Sequence, residues 1–407
     1  MFPLATKNKE YPGAVIPLPL SLYIHIPFCA YRCRYCNFTF ETGWSEPLMS
    51  RTLDAIVREA EGLRERGERD GLDWKVRTLY LGGGTPGVVP AELLVPFLKK
   101  LETVLGYRTA SLAEASLEAN PENLTPENLD AWDRAGIRRL SLGIQTFDSA
   151  RLALLGRWCD GPTNRRALGL AADRWKGRWS ADLMSGLPGQ GDMAPQRWVD
   201  LRADLRELLD YGPGHVSLYS LTVEPETDLA TLRAGGGLRV AEDPVADQLW
   251  LRARQTLIDA GYEWYEISNF ALPGHRSIHN QAYWRMDPWA GLGPGAEGTL
   301  PARDDSGALR PYRTKNPRLF PWLTGGGTSE IVSAPEFALE HYLAGWRTSD
   351  GLVPGRFAAT FTGSAPAVPH RLNDQERLTL NRFLATLGGL ENLSYRGDWS
   401  PKVGPES

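Results

Sequence analysis

The chain has 407 residues, of which 42% are hydrophobic and 23% charged, and a net charge of −4. That is the composition of an ordinary globular protein with room for a large domain and a smaller one. It offers no basic excess for nucleic acid as a main partner. Four cysteines, three of them close together, form no disulfide framework and favour a reducing cytosol.

Residues 1–20 hold prolines at 3, 12, 17 and 19 and no uninterrupted apolar run. We read them as an extension, neither a signal peptide nor a membrane span. Residues 21–26 alternate as a strand does and lead into Cys29, Cys33 and Cys36, spaced C-x3-C-x2-C. Thiolates this close repel one another unless a metal holds them. A closed zinc site takes four ligands, often in two pairs, and no second pair exists here. A zinc knuckle completed by His25 or Cys159 remains the alternative. Iron–sulfur cubanes normally take four thiolates, so three would leave one iron open to a small chelating ligand.

Ser45 followed by Pro47 marks a helix start, continued on one face by Leu53, Ile56, Val57 and Ala60. A strand over 78–81 runs into Gly82-Gly83-Gly84-Thr85-Pro86, and a helix is expected over 90–105. A strand at 115–119 ends in Glu118-Ala119-Asn120-Pro121, and Thr125-Pro126 caps a helix stopping near Gly136. A strand at 139–144 runs into Gln145, with helices expected over 149–155 and 163–175. A strand at 180–184 contains Asp182, followed by a helix over 195–209. A strand at 216–221 contains Tyr219 and Ser220, then come a helix over 243–260 and a further strand over 263–267. Six strand–helix units in series predict an α/β fold, a partial (β/α)6 barrel of the TIM type. The cysteines, the glycine run, Glu118, Gln145, Asp182 and the Tyr219–Ser220 pair all fall at or just past the C-terminal end of a strand. That is the rim where parallel barrels build their sites.

Taken singly, several of these residues have plain structural readings. Gly82 to Thr85 makes a tight turn, or a backbone that a ligand can approach closely. Glu118 and Asp182 are acids on apolar strands and need either a neighbouring arginine or a ligand. A lone loop histidine such as His279 usually bonds to backbone.

Together, YIHIPFC and its cysteine spacing, GGGTP, SLEANP, ADLMSGLPG and His279-Asn280-Gln281-Ala282-Tyr283-Trp284 resemble the radical S-adenosylmethionine (SAM) superfamily. The resemblance is to the branch holding oxygen-independent coproporphyrinogen oxidases and HemW-type heme chaperones. It implies a [4Fe–4S] cluster on Cys29, Cys33 and Cys36, with SAM chelating the open iron. It implies SAM contacts from Tyr23, Tyr35, Gly83, Gly84, Thr85, Glu118, Gln145, Arg157 and Asp182, and more loosely from Ser220. The family chemistry is one-electron reduction of the cluster and cleavage of SAM to methionine and a 5′-deoxyadenosyl radical. Phe38 stands where the oxidases carry a fourth cysteine, as in the chaperone branch. The HNxxYW signature implies heme ligation by His279, with His275 a second candidate. Heme and acceptor hemoproteins in the cytoplasm are therefore the expected partners, and the sequence leaves peripheral membrane contact open. The rival readings are an oxidase or other tetrapyrrole-modifying enzyme, and a zinc-binding module without catalysis. Glu297 and the Trp158-Cys159 pair depart from the family pattern, where histidine is usual. The resemblance covers residues 21–300, the expected core. Over 301–407 it thins to an expected small, mostly helical region, with a tail rich in Pro, Gly and Ser.

Overall fold

A computed structural model describes residues 14–352 and short pieces at 360–362, 371–372 and 394–395. Most of the Pro-, Gly- and Ser-rich tail thus lies outside the described residues. Six strands run in parallel: β1 (Ile16–Ile26), β2 (Leu72–Gly83), β3 (Glu114–Ala119), β4 (Arg139–Gln145), β5 (Arg178–Ser185) and β6 (His215–Ser220). The helices between them are α1 (Glu46–Asp70), α2 (Ala91–Leu105), α3 (Pro126–Arg134), α4 (Ser149–Leu154), α5 (Gly161–Arg174) and α6 (Trp198–Asp210). α7 (Asp228–Ala234) and α8 (Asp243–Asp259) follow β6. This is the expected partial barrel. Its helices begin where capping chemistry puts them: Ser45 accepts from the Leu48 N–H and Thr125 from the Asn128 N–H.

The sheet is open, not closed. β7 (Glu263–Trp264) and β8 (Asn269–Ala271) form an antiparallel pair, and β8 lies antiparallel to β6. A single strand over 263–267 was expected; the backbone instead turns back at residues 265–268. Beyond it α9 (Ile278–Trp284) leads to β9 (Trp289–Leu292), which lies parallel to β1 on the other edge. β10 (Glu297–Arg303), β11 (Leu309–Lys315) and β12 (Thr328–Ile331) continue that edge, with α10 (Leu319–Leu323) between the last two. The region after residue 300 therefore opens with strands before α11 (Ala334–Trp346). The cause is a tight Asp304–Gly307 turn, closed by the Gly307 N–H on the Asp304 carbonyl, which folds β10 onto β11.

β1 starts five residues before the expected strand, despite Pro17 and Pro19. Ile16 donates toward β2 through the Gly71 carbonyl, whereas Ser21 donates to Pro288 on the β9 side. Residues 17 and 19 share the orientation of Ser21, and β9 pairs only with residues 21–24. Each proline thus presents its missing N–H to an edge with no partner strand. β2 is longer too, because Asp73, Lys75 and Arg77 alternate with Trp74 and Val76 and hide the pattern.

The alternation of the parallel strands divides the molecule. Leu22, Ile24, Leu79, Leu81, Leu117, Leu140, Leu142, Leu183 and Leu218 face outward and are buried beneath the helices. Met49, Leu53, Ile56 and Ala60 of α1 complete that layer, each large side chain contributing roughly 1.5–3 kcal/mol on burial. The opposite face is polar. Register pairs Tyr23 with Tyr80, Tyr80 with Ser116, Glu118 with Ser141, and Asp182 with both Gly143 and Ser217. The interior of a TIM-type barrel is usually packed with branched apolar residues; here it is lined for a polar ligand. Among the described residues no helix is long and apolar enough to cross a membrane.

Candidate functional site

The loop after β1 places Cys29, Cys33 and Cys36 at the C-terminal mouth, all half-buried and reduced. The loop is tied down at both ends: the Cys29 N–H donates to the Glu41 carbonyl, and the Glu41 N–H to Pro27. Burial pushes the Cys29 thiol up to about 12 and raises that of Cys36. Thiolates here therefore call for a bound cation. Thr85 Oγ1 lies 3.6 Å from Cys29 Sγ, and an Arg157 nitrogen lies 3.8 Å from Cys33 Sγ. Among the described residues no three His, Cys, Asp or Glu side chains converge around one ion. A cubane makes no such demand, since each thiolate binds a different iron. The zinc alternative also loses its fourth ligand. Both nitrogens of His25 are engaged, by the Tyr23 hydroxyl and the Thr39 carbonyl, and Cys159 is buried beside Arg157.

The glycine run is first a packing device. Gly83 has φ +111°, and a Cβ there would meet the His25 ring at 2.6 Å. At Gly84 a Cβ would meet the Phe28 carbonyl oxygen at 2.7 Å. The Gly84 N–H donates to Ile26 and the Thr85 N–H to Phe28, so this turn and the cysteine loop form one layer. Only a backbone without side chains can approach that closely.

Inside the mouth stand the two acids. Glu118 makes no ion pair among the described residues; it accepts from the Tyr80 hydroxyl at 2.7 Å and the Gly83 N–H at 3.3 Å. Burial, with help from Asp182, raises its pKa to about 7. Burial likewise raises Asp182 to about 6, against the pull of Ser217 and Arg139. Asp182 lies mid-strand, three residues short of the end of β5, so it belongs to the interior and not to the rim. Its Oδ1 is buried without a partner. An orphaned acceptor of this kind is costly unless a ligand hydroxyl or ammonium meets it. Arg157 donates to Asn120 Oδ1 and the Gly143 carbonyl, which hold its guanidinium beside Cys33. Gln145 takes a left-handed φ of 67° at the end of β4, a strained geometry that tends to cluster at ligand sites. Tyr23 is stacked on Tyr80. Tyr35 packs beneath the cysteine loop against Leu155, Met184 and Leu187. Tyr219 and Ser220 are exposed at the end of β6.

His279 is placed differently from the loop position expected of it. It opens α9, which Ser277 caps, and it is 0% exposed. Nδ1 bonds to Thr78 Oγ1 at 2.8 Å and Nε2 to the Tyr283 hydroxyl at 2.7 Å. Burial lowers its pKa to about 3, so the ring is neutral. Glu114, at the N-terminal end of β3, accepts from Ser277 Oγ and from the N–H groups of Ile278 and His279. Helix α9 is thus the floor of the barrel. A column of rings, Tyr23, Tyr80, His279 and Tyr283, rises from it toward the mouth. Sequence reasoning missed Glu114, Tyr80 and Asn120, whose roles depend on strands far away in the chain. Glu297 is an exposed strand residue paired with Lys315 at 2.7 Å. Phe38 and Trp158 are 70% and 71% exposed near the mouth.

Residues 23–202 match the model of the Radical SAM superfamily. The chain is 32% identical to the heme chaperone HemW of Synechocystis sp., over 95% of this chain and 89% of that protein. It is 35% identical to HemW of Escherichia coli, over 74% of this chain and 75% of the relative. It is also 35% identical to radical S-adenosyl methionine domain-containing protein 1, mitochondrial, of Bos taurus, over 82% of this chain and 74% of that protein. Among solved structures, coproporphyrinogen III oxidase of E. coli shares the fold, with a TM-score of 0.63 at 20% identity, over 79% of this chain and 74% of that one.

Proposed function

Because the chain belongs to the HemW family of heme chaperones within the radical SAM superfamily, we propose that it binds heme and delivers it to acceptor hemoproteins in the cytoplasm. A [4Fe–4S] cluster is held by Cys29, Cys33 and Cys36, and SAM occupies the barrel mouth. When bound, these groups supply one-electron reducing chemistry. The observation that carries the reading is the polar barrel interior beneath a half-buried cysteine loop, with the Asp182 acceptor unpaired.

The residues divide the work by chemistry. Glu118 and Asp182 receive the hydroxyl and ammonium donors of SAM, and Arg157 takes its carboxylate. Thr85 and the backbone of Gly83 and Gly84 fix the cysteine loop against the second strand, and Gln145 closes the far side. Tyr23 and Tyr35 support this layer from below, and Ser220 lies at its rim. Phe38, in the place of a fourth cysteine, favours the chaperone over the oxidase. His279 serves as a heme ligand only if α9 leaves the floor, because both of its ring nitrogens are engaged as folded.

The test is anaerobic reconstitution followed by titration with ferric heme, with and without SAM and reductant. An apo-globin is then added and its own Soret band followed. Heme uptake and transfer are expected. Failure to bind heme, or anaerobic turnover of coproporphyrinogen III, would replace the chaperone reading with the enzyme.

A further inference from the structure

At the opposite end of the barrel from the cysteines, where the strands begin, lies a cavity of about 580 Å³. That volume falls within the roughly 300–1,000 Å³ of small-molecule sites. Its lining includes Arg138, Arg139, Lys176, Arg178, Trp179 and His275. Lys176 and Arg138 lie 4.0 Å and 2.9 Å from Asp133. Arg178 has no ion-pair partner among the described residues. Arg139 is only 3% exposed and donates to the His275 carbonyl, and its charge also acts on Asp182. Glu114, the carboxylate in this lining, is already committed to the start of α9.

His275 supplies the second feature. Neither ring nitrogen has a hydrogen-bond partner among the described residues, and Nδ1 is buried. The ring rests against Gly214, where a Cβ would approach Nδ1 to 2.1 Å. The glycine therefore exists to seat this imidazole, leaving Nε2 as the free nitrogen. A neutral imidazole beside the Arg178 and Arg139 guanidinium groups and an indole is the donor set for a planar metal complex with carboxylate arms.

Resting on the heme-chaperone reading, we infer that this cavity is a docking site for an anionic metalloporphyrin. His275 Nε2 is the axial ligand, and Arg139 and Arg178 receive the propionates. The six residue steps of β4, at ~3.3 Å each, set about 20 Å of strand between this end of the barrel and the mouth. The site leaves α9 and the His279 bonds undisturbed.

The experiment titrates reconstituted wild type, His275→Ala and Arg178→Glu with ferric protoporphyrin IX and with its dimethyl ester, and assays iron and sulfide in each. His275→Ala is expected to shift the Soret band and weaken heme binding at least tenfold with cluster content unchanged. Arg178→Glu is expected to weaken the free acid tenfold and to leave the ester unaffected. Wild-type affinity for heme in both variants would overturn this site while leaving the chaperone reading intact. No heme binding by wild type would instead overturn the chaperone reading itself.

Discussion

Removing the carboxylate of Glu114 tests whether the HNxxYW segment is the floor of the barrel. Glu114 is buried and accepts three hydrogen bonds of 2.9–3.0 Å, from Ser277 Oγ and the backbone of Ile278 and His279. Hydrogen bonds to a charged acceptor contribute roughly 1.5–3 kcal/mol each, and they are not additive within one network. Glu114→Ala leaves three donors unpaired, two of them buried, and should cost about 4–5 kcal/mol. Glu114→Gln keeps the oxygen facing Ser277 and His279, sets an amide against the Ile278 N–H, and should cost about 2 kcal/mol. The assay is urea denaturation of cluster-free protein, followed by circular dichroism and tryptophan fluorescence. Once the floor is loosened, His279 should also exchange into solvent and react with a histidine-directed reagent. If Glu114→Ala costs under about 0.5 kcal/mol, α9 is not held as described and the reasoning fails.

Other perturbations act at the mouth. Gly84→Ala drives a methyl into the Phe28 backbone, so reconstitution should yield a depleted cluster, read by absorbance and iron content; a normal cluster would mean that this contact is dispensable. SAM affinity should fall as pH drops below about 7, because Glu118, raised to about 7, and Asp182, raised to about 6, must lose protons to meet a cation. Calorimetry in buffers of different ionisation heat should show proton release, with a slope of up to tenfold per pH unit for each acid that must lose its proton. Glu118→Gln should flatten that slope, and an unchanged profile would remove Glu118 from the site. Without ligand the sign reverses: the folded protein holds these protons more tightly than the unfolded chain. The two acids thus contribute stability at pH 4 that is lost as pH rises through 6 and 7.

The parallel units were legible because each strand carries its own alternation and each helix its own cap. Ser45 and Thr125 signal their helices locally, and the prediction needs nothing distant. The cysteine spacing was similarly self-contained. What escaped was set by pairing between strands. Thr78-Leu79-Tyr80, Ser116-Leu117-Glu118, Ser180-Ala181-Asp182 and Ser217-Leu218-Tyr219 each place a small hydroxyl two residues before a larger polar group. The register then sets Tyr80 beside Ser116, Glu118 beside Ser141 and Asp182 beside Ser217. That repeat is visible in the chain, but its meaning as a polar inner wall is not. No element is expected over His279, since the seven residues of α9 make too short a pattern to show a helical period. The burial of His279 depends on Glu114, 165 positions away. The half of β2 before Thr78 was lost for a simpler reason, since its alternating residues are charged and resemble a surface turn.

Wild type and Cys33→Ala, purified and reconstituted anaerobically, should be assayed side by side for iron, zinc and inorganic sulfide. Wild type should carry iron and sulfide in equal amounts with a broad visible absorbance, and Cys33→Ala should lose both. About one zinc and no sulfide in wild type, or an intact cluster in Cys33→Ala, would contradict the assignment of these three cysteines on which the SAM site is built.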